Sequence, residues 1–260
     1  MSSNLRSSVA LACCLALALC APAPAAGARG SREGSREEAE RLWELAVAAK
    51  GGRERLHSVN SLLLTTGSRK YPLVDLYAFP GKLWRWSRLP APFDLSVNML
   101  NAERRAAYAT SGNSPASPRR LGDDAVRGFQ SFVDEAQLYF LLETRWQRPV
   151  PVAASEGEAG GRRADVVRVA VGDKQADYFL DRKTHLPLKI VFPARDNARR
   201  YFAAKDYADV GGVMLPLKVS YGGGFSPYAY VLNPDYDPNI FERPPTIDAG
   251  IEAWRRGAAR

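Results

Sequence analysis

The chain has no cysteine beyond its first twenty residues and very little histidine. Its three cysteines are Cys13, Cys14 and Cys20, and its only histidines in 260 residues are His57 and His185. Residues 21–260 therefore offer no thiol nucleophile, no disulfide and no Cys-ligated metal. Neither histidine lies in a nucleophile-elbow or HExxH context, so both are predicted to be surface residues. These shortages argue against an enzyme, and the sequence predicts no catalytic residue, no cofactor and no metal site.

Long apolar runs are missing as well. The longest, Val9 to Cys20, is about a dozen residues, whereas a membrane-spanning helix needs roughly 20. Arg6 precedes this run and small residues follow it up to Ala28, which is the pattern of a secretory signal peptide. We therefore predict a cleaved leader over residues 1–28 and an exported protein. The alternative is a membrane lipoprotein anchored through Cys20, although Leu19 is larger than the residue that usually precedes a lipidated cysteine.

Acidic residues are in deficit, with 28 Asp and Glu against 36 Lys and Arg. The predicted leader contains one Arg and no acid, so its removal leaves 35 basic and 28 acidic residues and a net charge of +7. A basic exported protein meets membrane surfaces and acidic polymers, while export argues against a nucleic-acid partner.

Two segments have the 3.6-residue period of amphipathic helices. Ser35 to Glu38 forms a capping box, and the apolar stripe from Ala39 to Val47 ends at Gly51-Gly52. The second helix is predicted from Asp123 to Trp146, where Val126, Phe129 and Val133 share one face. Residues 29–34 before the first helix are predicted to be a flexible tether.

Period-2 alternation fills most of the remaining chain, in one group of strands from Leu62 to Thr110 and another from Val166 to Asn233. Their turns are too short for crossover helices, so the strands are expected to be antiparallel. Ala153 to Arg163, rich in Gly, Glu and Ala, is predicted to be a mobile surface loop. The fold class is therefore α+β on a large antiparallel sheet, with residues 35–246 as a single domain and 247–260 as a short C-terminal helix or tail.

The second group of strands contains the pattern LPLK twice, at Leu186 and, 29 residues later, at Leu215. After each proline, apolar residues alternate with Lys189 or Lys218, so one row is expected to face water. The opposite rows are predicted to face the second helix or a ligand; they are Leu188, Ile190 and Phe192, and Leu217, Val219 and Tyr221.

Several motifs of one turn and one strand occur in a fixed order. They are Ala48 to Gly52, Tyr178 to Asp181 with Leu186-Pro187-Leu188, Asp206-Tyr207 with Gly211-Gly212-Val213, and Asn233-Pro234 with Phe241-Glu242. Together with the leader, this order resembles the periplasmic outer-membrane lipoprotein carrier and sorting superfamily, the LolA, LolB and RseB-like proteins. The resemblance implies a curved sheet forming an incomplete β-barrel, with helices packed in or over its concave face and an apolar cavity inside.

The same resemblance implies a periplasmic, non-enzymatic protein that holds a lipid or lipoprotein acyl chain during trafficking. The expected partners are a lipid or an acylated protein, with the membrane surface as a further candidate, and a monomer is expected. An alternative is an envelope-stress sensor or regulator that binds a partner protein through the same fold; an envelope hydrolase ranks last. No individual site residue is carried over from the superfamily. Candidate ligand-lining residues are taken from the apolar and aromatic rows: Leu64, Leu76, Trp84, Trp86, Val97, Met99, Phe129, Phe132, Tyr139, Phe140, Leu188, Ile190, Leu217 and Val219.

Overall fold

The computed structural model describes residues 35–68, 70–88, 95–111, 118–193 and 199–242. Its helices are α1 (Arg36–Ala49), α2 (Arg53–His57) and α3 (Asp123–Ala136), the last of which continues into a π-helical turn (Gln137–Leu141). A 3₁₀ turn (Pro238–Phe241) lies near the end of the described chain. No helix in these ranges is long and apolar enough to cross a membrane.

The first helix begins where the capping pattern predicts. The Ser35 side chain accepts a hydrogen bond from the Glu38 N–H at 3.2 Å, and the predicted apolar stripe is buried. Gly51 follows with φ of +119°, and a Cβ there would lie 2.1 Å from the Gly212 carbonyl oxygen. Only glycine allows this conformation and this approach of two turns.

Thirteen antiparallel strands form one sheet within the described residues. They are β1 (Ser61–Gly67), β2 (Pro72–Ala78), β3 (Lys82–Arg88), β4 (Leu95–Asn101), β5 (Ala106–Ser111), β6 (Arg119–Arg120), β7 (Val150–Ala159), β8 (Arg162–Val171), β9 (Lys174–Asp181), β10 (Pro187–Pro193), β11 (Arg199–Val210), β12 (Val213–Ser220) and β13 (Ser226–Leu232). The sheet is not closed, since its order ends at β6 on one side and β7 on the other. The predicted class, an α+β fold on a large antiparallel sheet forming an incomplete barrel with helices, is confirmed.

The middle of the sheet joins the first strand to the last. β1 pairs with β13, with Leu62 opposite Leu232 and Thr66 opposite Tyr228. The Asn233 side-chain oxygen accepts hydrogen bonds from the backbone N–H groups of Asn60 and Ser61, at 2.7 and 3.2 Å. The strands from β1 to β6 and those from β7 to β13 are thus two meanders held together at a single ladder.

Each face of the sheet has its own apolar cluster. On the inner face, which carries the helices, α1 packs on β7 and β8, and α3 packs on β3, β4 and β5. The large inner core includes Trp43, Tyr178 and Phe202, all essentially inaccessible. The outer face of β2, β3 and β4 has a smaller cluster under the 3₁₀ turn, where Phe241 is 2% exposed.

Five candidate ligand-lining residues lie on this outer face, and their predicted place inside the barrel is wrong. They are Leu76, Trp84, Trp86, Val97 and Met99. β2 and β3 have apolar residues in both rows, so period 2 separates the rows without saying which one is inner. The inner row consists of their neighbours, such as Tyr77, Leu83 and Leu100.

Two predicted boundaries are also wrong. The supposed loop from Ala153 to Arg163 is the hairpin of β7 and β8, turning at Gly160-Gly161 with φ of +59° and +74°. Glu156, Gly157 and Glu158 lie on β7, an edge strand, where weak strand formers are tolerated. The second helix does not reach Trp146, because the helical chain ends after Leu141 and Leu142 adopts φ of +65°. The predicted tail of residues 247–260 lies outside the described residues.

The lysines of the doubled pattern lie where predicted, but one apolar row is incomplete. Ile190, Phe192 and Val219 belong to the inner core, while Lys218 is exposed and Lys189 lies against rings of the outer face. Leu188 is half-buried beside a register shift between Pro187 and Lys189. Leu217 is 40% exposed, so its predicted burial on the inward row is wrong. Tyr221 is 55% exposed, but its ring still contacts that of Tyr139, 5.8 Å between centroids.

Candidate functional site

A groove of about 1150 Å³ runs beside α3. Its walls come from α3 and the π-helical turn, from the segment after that turn, and from the hairpin turn between β8 and β9. The lining residues are Pro80, Asp124, Arg127, Gly128, Gln130, Ser131, Phe132, Asp134, Glu135, Gln137, Leu138, Trp146, Gln147, Arg148, Val171, Gly172, Asp173, Lys174, Gln175 and Phe192. The groove is therefore mixed in character, unlike the apolar cavity expected from the sequence.

The position of α3 determines which side chains reach the groove. Val133 and Ala136 are buried in the inner core, and Val126 and Phe129 pack against it. Phe132 lies off this stripe and is 42% exposed. Its ring centroid is 5.2 Å from the guanidinium carbon of Arg85, which is within the range of a cation–π contact.

Aromatic side chains form the apolar part of the groove. Trp146 is 36% exposed, and its ring lies 6.2 Å from that of Phe79 and 4.2 Å from the Arg145 guanidinium. Phe192, at the end of β10, is nearly inaccessible and contacts Tyr139 edge to face. With Phe132 and Leu138, these residues provide an apolar floor for a ligand.

Two amide groups in the groove have unused acceptors. The side-chain oxygens of Gln130 and Gln147 are buried and accept no hydrogen bond from the described chain. The Gln130 amide donates to Asp134 Oδ1 at 2.8 Å and to the Pro80 carbonyl at 3.2 Å. Burial raises the pKa of the Asp134 carboxyl, although the bond from Gln130 and the charge of Lys174 oppose this rise. A buried acceptor without a donor is costly. A ligand in the groove that offers N–H or O–H groups would satisfy these oxygens if the two side chains rotated toward it.

A buried ion pair supports the position of Arg85 under Phe132. Arg85 binds Asp75 through two hydrogen bonds, both 2.7 Å, and the Tyr77 hydroxyl donates to the same carboxylate at 2.9 Å. Burial opposes the charge on Arg85, but the charge and hydrogen bonds of Asp75 outweigh it and raise the guanidinium pKa. Burial and the Asp75 charge also raise the pKa of the Tyr77 hydroxyl.

A second polar cluster, which the sequence patterns did not indicate, fastens the segment after the π-helical turn. The Glu143 side chain is 3% exposed and lies 2.7 Å from Arg53 Nε and 3.0 Å from His57 Nε2. Trp43 Nε1 also donates to Glu143, at 3.3 Å. His57 is therefore a partly buried partner of Glu143, and its predicted place on the surface is wrong. In the sequence, the only indication of this cluster is a single acidic residue, Glu143, directly after the apolar run that ends at Leu142.

Lys50 is a further buried charge that the sequence patterns did not reveal. It follows α1, is 0% exposed, donates from Nζ to the Met214 carbonyl and lies 5.3 Å from the centre of the Tyr207 ring. Burial lowers the pKa of the Lys50 ammonium to about 7. The group thus holds the turn after α1 against β12 at a cost in desolvation.

Of the fourteen candidate ligand-lining residues, only Phe132 lines the groove. Leu64, Tyr139, Phe140, Ile190 and Val219 are buried in the inner core and Phe129 packs against it; their contact with a ligand stays a prediction. Trp146, Gln130 and Gln147 were not among the fourteen. Within the described ranges, no group of three or more His, Cys, Asp and Glu side chains could hold a metal ion.

Comparison with known proteins finds similarity only among solved structures. A LolA superfamily protein from Nitrosomonas europaea is 13% identical, with a TM-score of 0.45 over 79% of this chain and 97% of that one. A domain assigned to outer membrane lipoprotein sorting, from Vibrio parahaemolyticus, is 12% identical, with a TM-score of 0.42 over 78% and 97%. A chain of the Pseudomonas aeruginosa MucA/MucB complex is 14% identical, with a TM-score of 0.24 over 80% and 61%.

No protein-family model and no curated protein sequence matches the chain. The first two structures carry the names of the superfamily that the sequence patterns resemble. At these identities and TM-scores, they carry no information on what this chain binds.

Proposed function

We propose that this is an exported, non-enzymatic binding protein whose groove holds an acylated polypeptide. The observation that carries the proposal is the combination, in one groove, of exposed aromatic side chains with buried, unpaired amide acceptors. An acyl chain offers only apolar surface and would lie against Phe132 and Trp146. The adjoining polypeptide would supply N–H donors to Gln130 and Gln147 and would meet the charged residues of the rim.

Export and domain organisation remain part of this proposal. The leader at residues 1–28, the tether at 29–34 and the tail at 247–260 lie outside the described residues, and the periplasmic location rests on the leader pattern. The non-enzymatic assignment is supported by the lining of the groove, which includes neither His57 nor His185; His57 instead contacts Glu143 at 3.0 Å, between α2 and the segment before β7.

A second candidate is a sensor or regulator that binds an unacylated partner protein. It is favoured by the filling of the inner face, where the rings of Tyr139 and Phe202 stack at 4.6 Å and Phe140 meets Phe202 at 5.6 Å. This arrangement packs the interior of the sheet with the protein's own side chains, so a ligand would be confined to the groove and the surface.

The two candidates differ in how much the acyl chain contributes to binding. Calorimetry would compare a lipoprotein N-terminal peptide bearing a long acyl chain with the same peptide lacking it. Burial of about four methylene groups contributes roughly 3 kcal/mol, so the acylated peptide should bind about a hundredfold more tightly. Equal affinity for both peptides would support the second candidate, and no binding of either, with no lipid retained in native mass spectrometry, would refute the first.

A further inference from the structure

A second solvent-exposed surface lies on β9 to β13 and on the turn between the last two of these strands. In this region Tyr201, Leu217, Tyr221 and Phe225 are 36%, 40%, 55% and 44% exposed. They are four of the seven large hydrophobic residues that are exposed in the described chain. Tyr201 and Phe225 lie on the outer side of the sheet with Lys189 and Lys205. Leu217 lies on the row opposite Lys218, and the Tyr221 ring contacts Tyr139 and Phe202 of the inner core. Exposed aromatic rings on an outer sheet face are typical of an interaction surface.

The register places lysines beside Tyr201 and Phe225 on the outer face. Residues that pair across neighbouring strands share a face of the sheet. Lys189 pairs with Phe179 and with Ala203, and Lys205 pairs with Lys218. Three lysines from three adjacent strands therefore project on the same side, opposite the inner core.

Two of these lysines are held over aromatic rings. Lys189 Nζ lies 5.4 Å from the Phe179 ring centre and 5.1 Å from that of Tyr201, while Lys205 Nζ lies 4.1 Å from that of Phe225. Within the described residues neither Lys189 nor Lys205 forms a salt bridge, whereas Lys218 pairs with Asp206 at 2.8 Å. The hydrogen bond from Lys218 and the charge of Lys205 both lower the pKa of the Asp206 carboxyl, so Asp206 partly balances these lysines. The surface therefore combines a net positive charge from Lys189, Lys205 and Lys218 with exposed aromatic side chains.

We propose that this lysine–aromatic face, formed by Phe179, Lys189, Tyr201, Lys205 and Phe225, docks the protein onto an anionic lipid membrane. Aromatic rings favour the headgroup level of a bilayer, and lysines near an anionic surface each contribute about a fivefold gain in binding. The turn before Phe225 contains Gly222, Gly223 and Gly224, which lets this ring enter the interface. The positive charge of the lysines complements lipid phosphates. The five residues lie on the outer face of the sheet and in the turn before β13, so this surface is separate from the groove beside α3.

The test uses sedimentation of the exported protein with vesicles of phosphatidylglycerol and phosphatidylcholine, and with vesicles of phosphatidylcholine alone. Binding is expected only with the anionic lipid. Lys205→Glu changes two units of charge, so binding should fall about 25-fold, and Phe225→Ser should also weaken it. Lys183→Glu, in the exposed turn between β9 and β10, is the control with the same charge change, and each variant is checked by thermal unfolding.

Because no cysteine follows Cys20, a fluorophore can be attached at one introduced cysteine. Its emission then reports whether that site enters the membrane. An environment-sensitive fluorophore on Phe225→Cys should shift to the blue with anionic vesicles, and one on Lys183→Cys should not. Equal binding to neutral vesicles, or equal losses in Lys183→Glu and Lys205→Glu, would overturn the proposal. Binding to an acidic protein without binding to vesicles would also overturn it. Peptide binding in the groove is measured without vesicles. A result that overturns membrane docking therefore leaves the proposed peptide binding unaffected.

Discussion

Filling the groove from Gly128 should weaken ligand binding about a hundredfold without destabilising the protein. Gly128 is the sixth residue of α3, lines the groove, and a Cβ at this position would meet no atom within 4 Å. Gly128→Trp therefore projects a large side chain into open space. The matched control is Gly128→Ala, which changes the backbone preference in the same direction and leaves the groove open.

The two substitutions separate stability from binding. Replacing a glycine inside a helix by alanine stabilises it by about 0.5–1 kcal/mol, and tryptophan should retain part of this gain. If the indole displaces about 120 Å² of apolar ligand contact, the loss at roughly 25 cal/mol per Å² is about 3 kcal/mol, or roughly a hundredfold in Kd. Gly128→Ala should bind like the parent protein.

The assay is calorimetry with the acylated peptide, combined with thermal unfolding of both variants. We expect each Tm to equal or exceed that of the parent, and only Gly128→Trp to lose affinity. If Gly128→Trp bound as tightly as Gly128→Ala, or more tightly, the ligand would not occupy the groove beside α3.

Three further predictions concern stability. Burial lowers the pKa of Lys50 to about 7, so between pH 7 and about 10 the unfolded chain binds one more proton than the folded chain. The free energy of unfolding of the parent should therefore rise, relative to that of Lys50→Met, by about 1.4 kcal/mol per pH unit from pH 7 to 9. The measurement is urea denaturation at several pH values, and the same pH dependence of stability in both proteins would contradict this prediction. Arg85→Met leaves Asp75 buried without its cation and should lower the free energy of unfolding by about 3–5 kcal/mol. The Asp75→Asn/Arg85→Met double variant should recover most of this loss. Equal losses in the single and double variants, measured by urea denaturation, would show that the buried charge of Asp75 is not the cause. Phe241→Ala should cost about 3–5 kcal/mol by opening a cavity on the outer face and leave peptide affinity unchanged, so a change in Kd would contradict the assignment of the two faces.

Periodicity was sufficient to predict the large antiparallel sheet, because turn lengths and alternation define such a sheet locally, whereas the incomplete barrel was expected only from the superfamily resemblance. The cap at Ser35, most of the strands and the start of α3 at Asp123 follow from such short-range rules, whereas β7, rich in Gly and Glu, was predicted to be a loop. Which face is inner depends on where helices pack from far along the chain. Trp84 and Trp86 resemble interior residues in every local respect, and only the covering turn at Phe241 places them on the outer face.

The candidate site was harder to predict because polar residues create much of it. Gln130 and Gln147 have no distinctive spacing, and their role depends on burial of their side-chain oxygens. Glu143 and Lys50 follow apolar segments, and nothing local shows that their charged groups are covered. The aromatic rows led to Phe132, whose place on α3 exposes it, but also to Tyr139 and Phe140, which fill the core.

The single ladder between β1 and β13 constrains when the chain can fold. Leu62 meets Leu232 only after nearly all of the sequence between them is available, and long-range pairing of this kind is slow because loop closure must come first. A chain exported with its N-terminus leading would have β1 to β6 across the membrane while β13 was still behind. In such a chain the two meanders would join only after translocation, and the topology itself would delay completion of the fold.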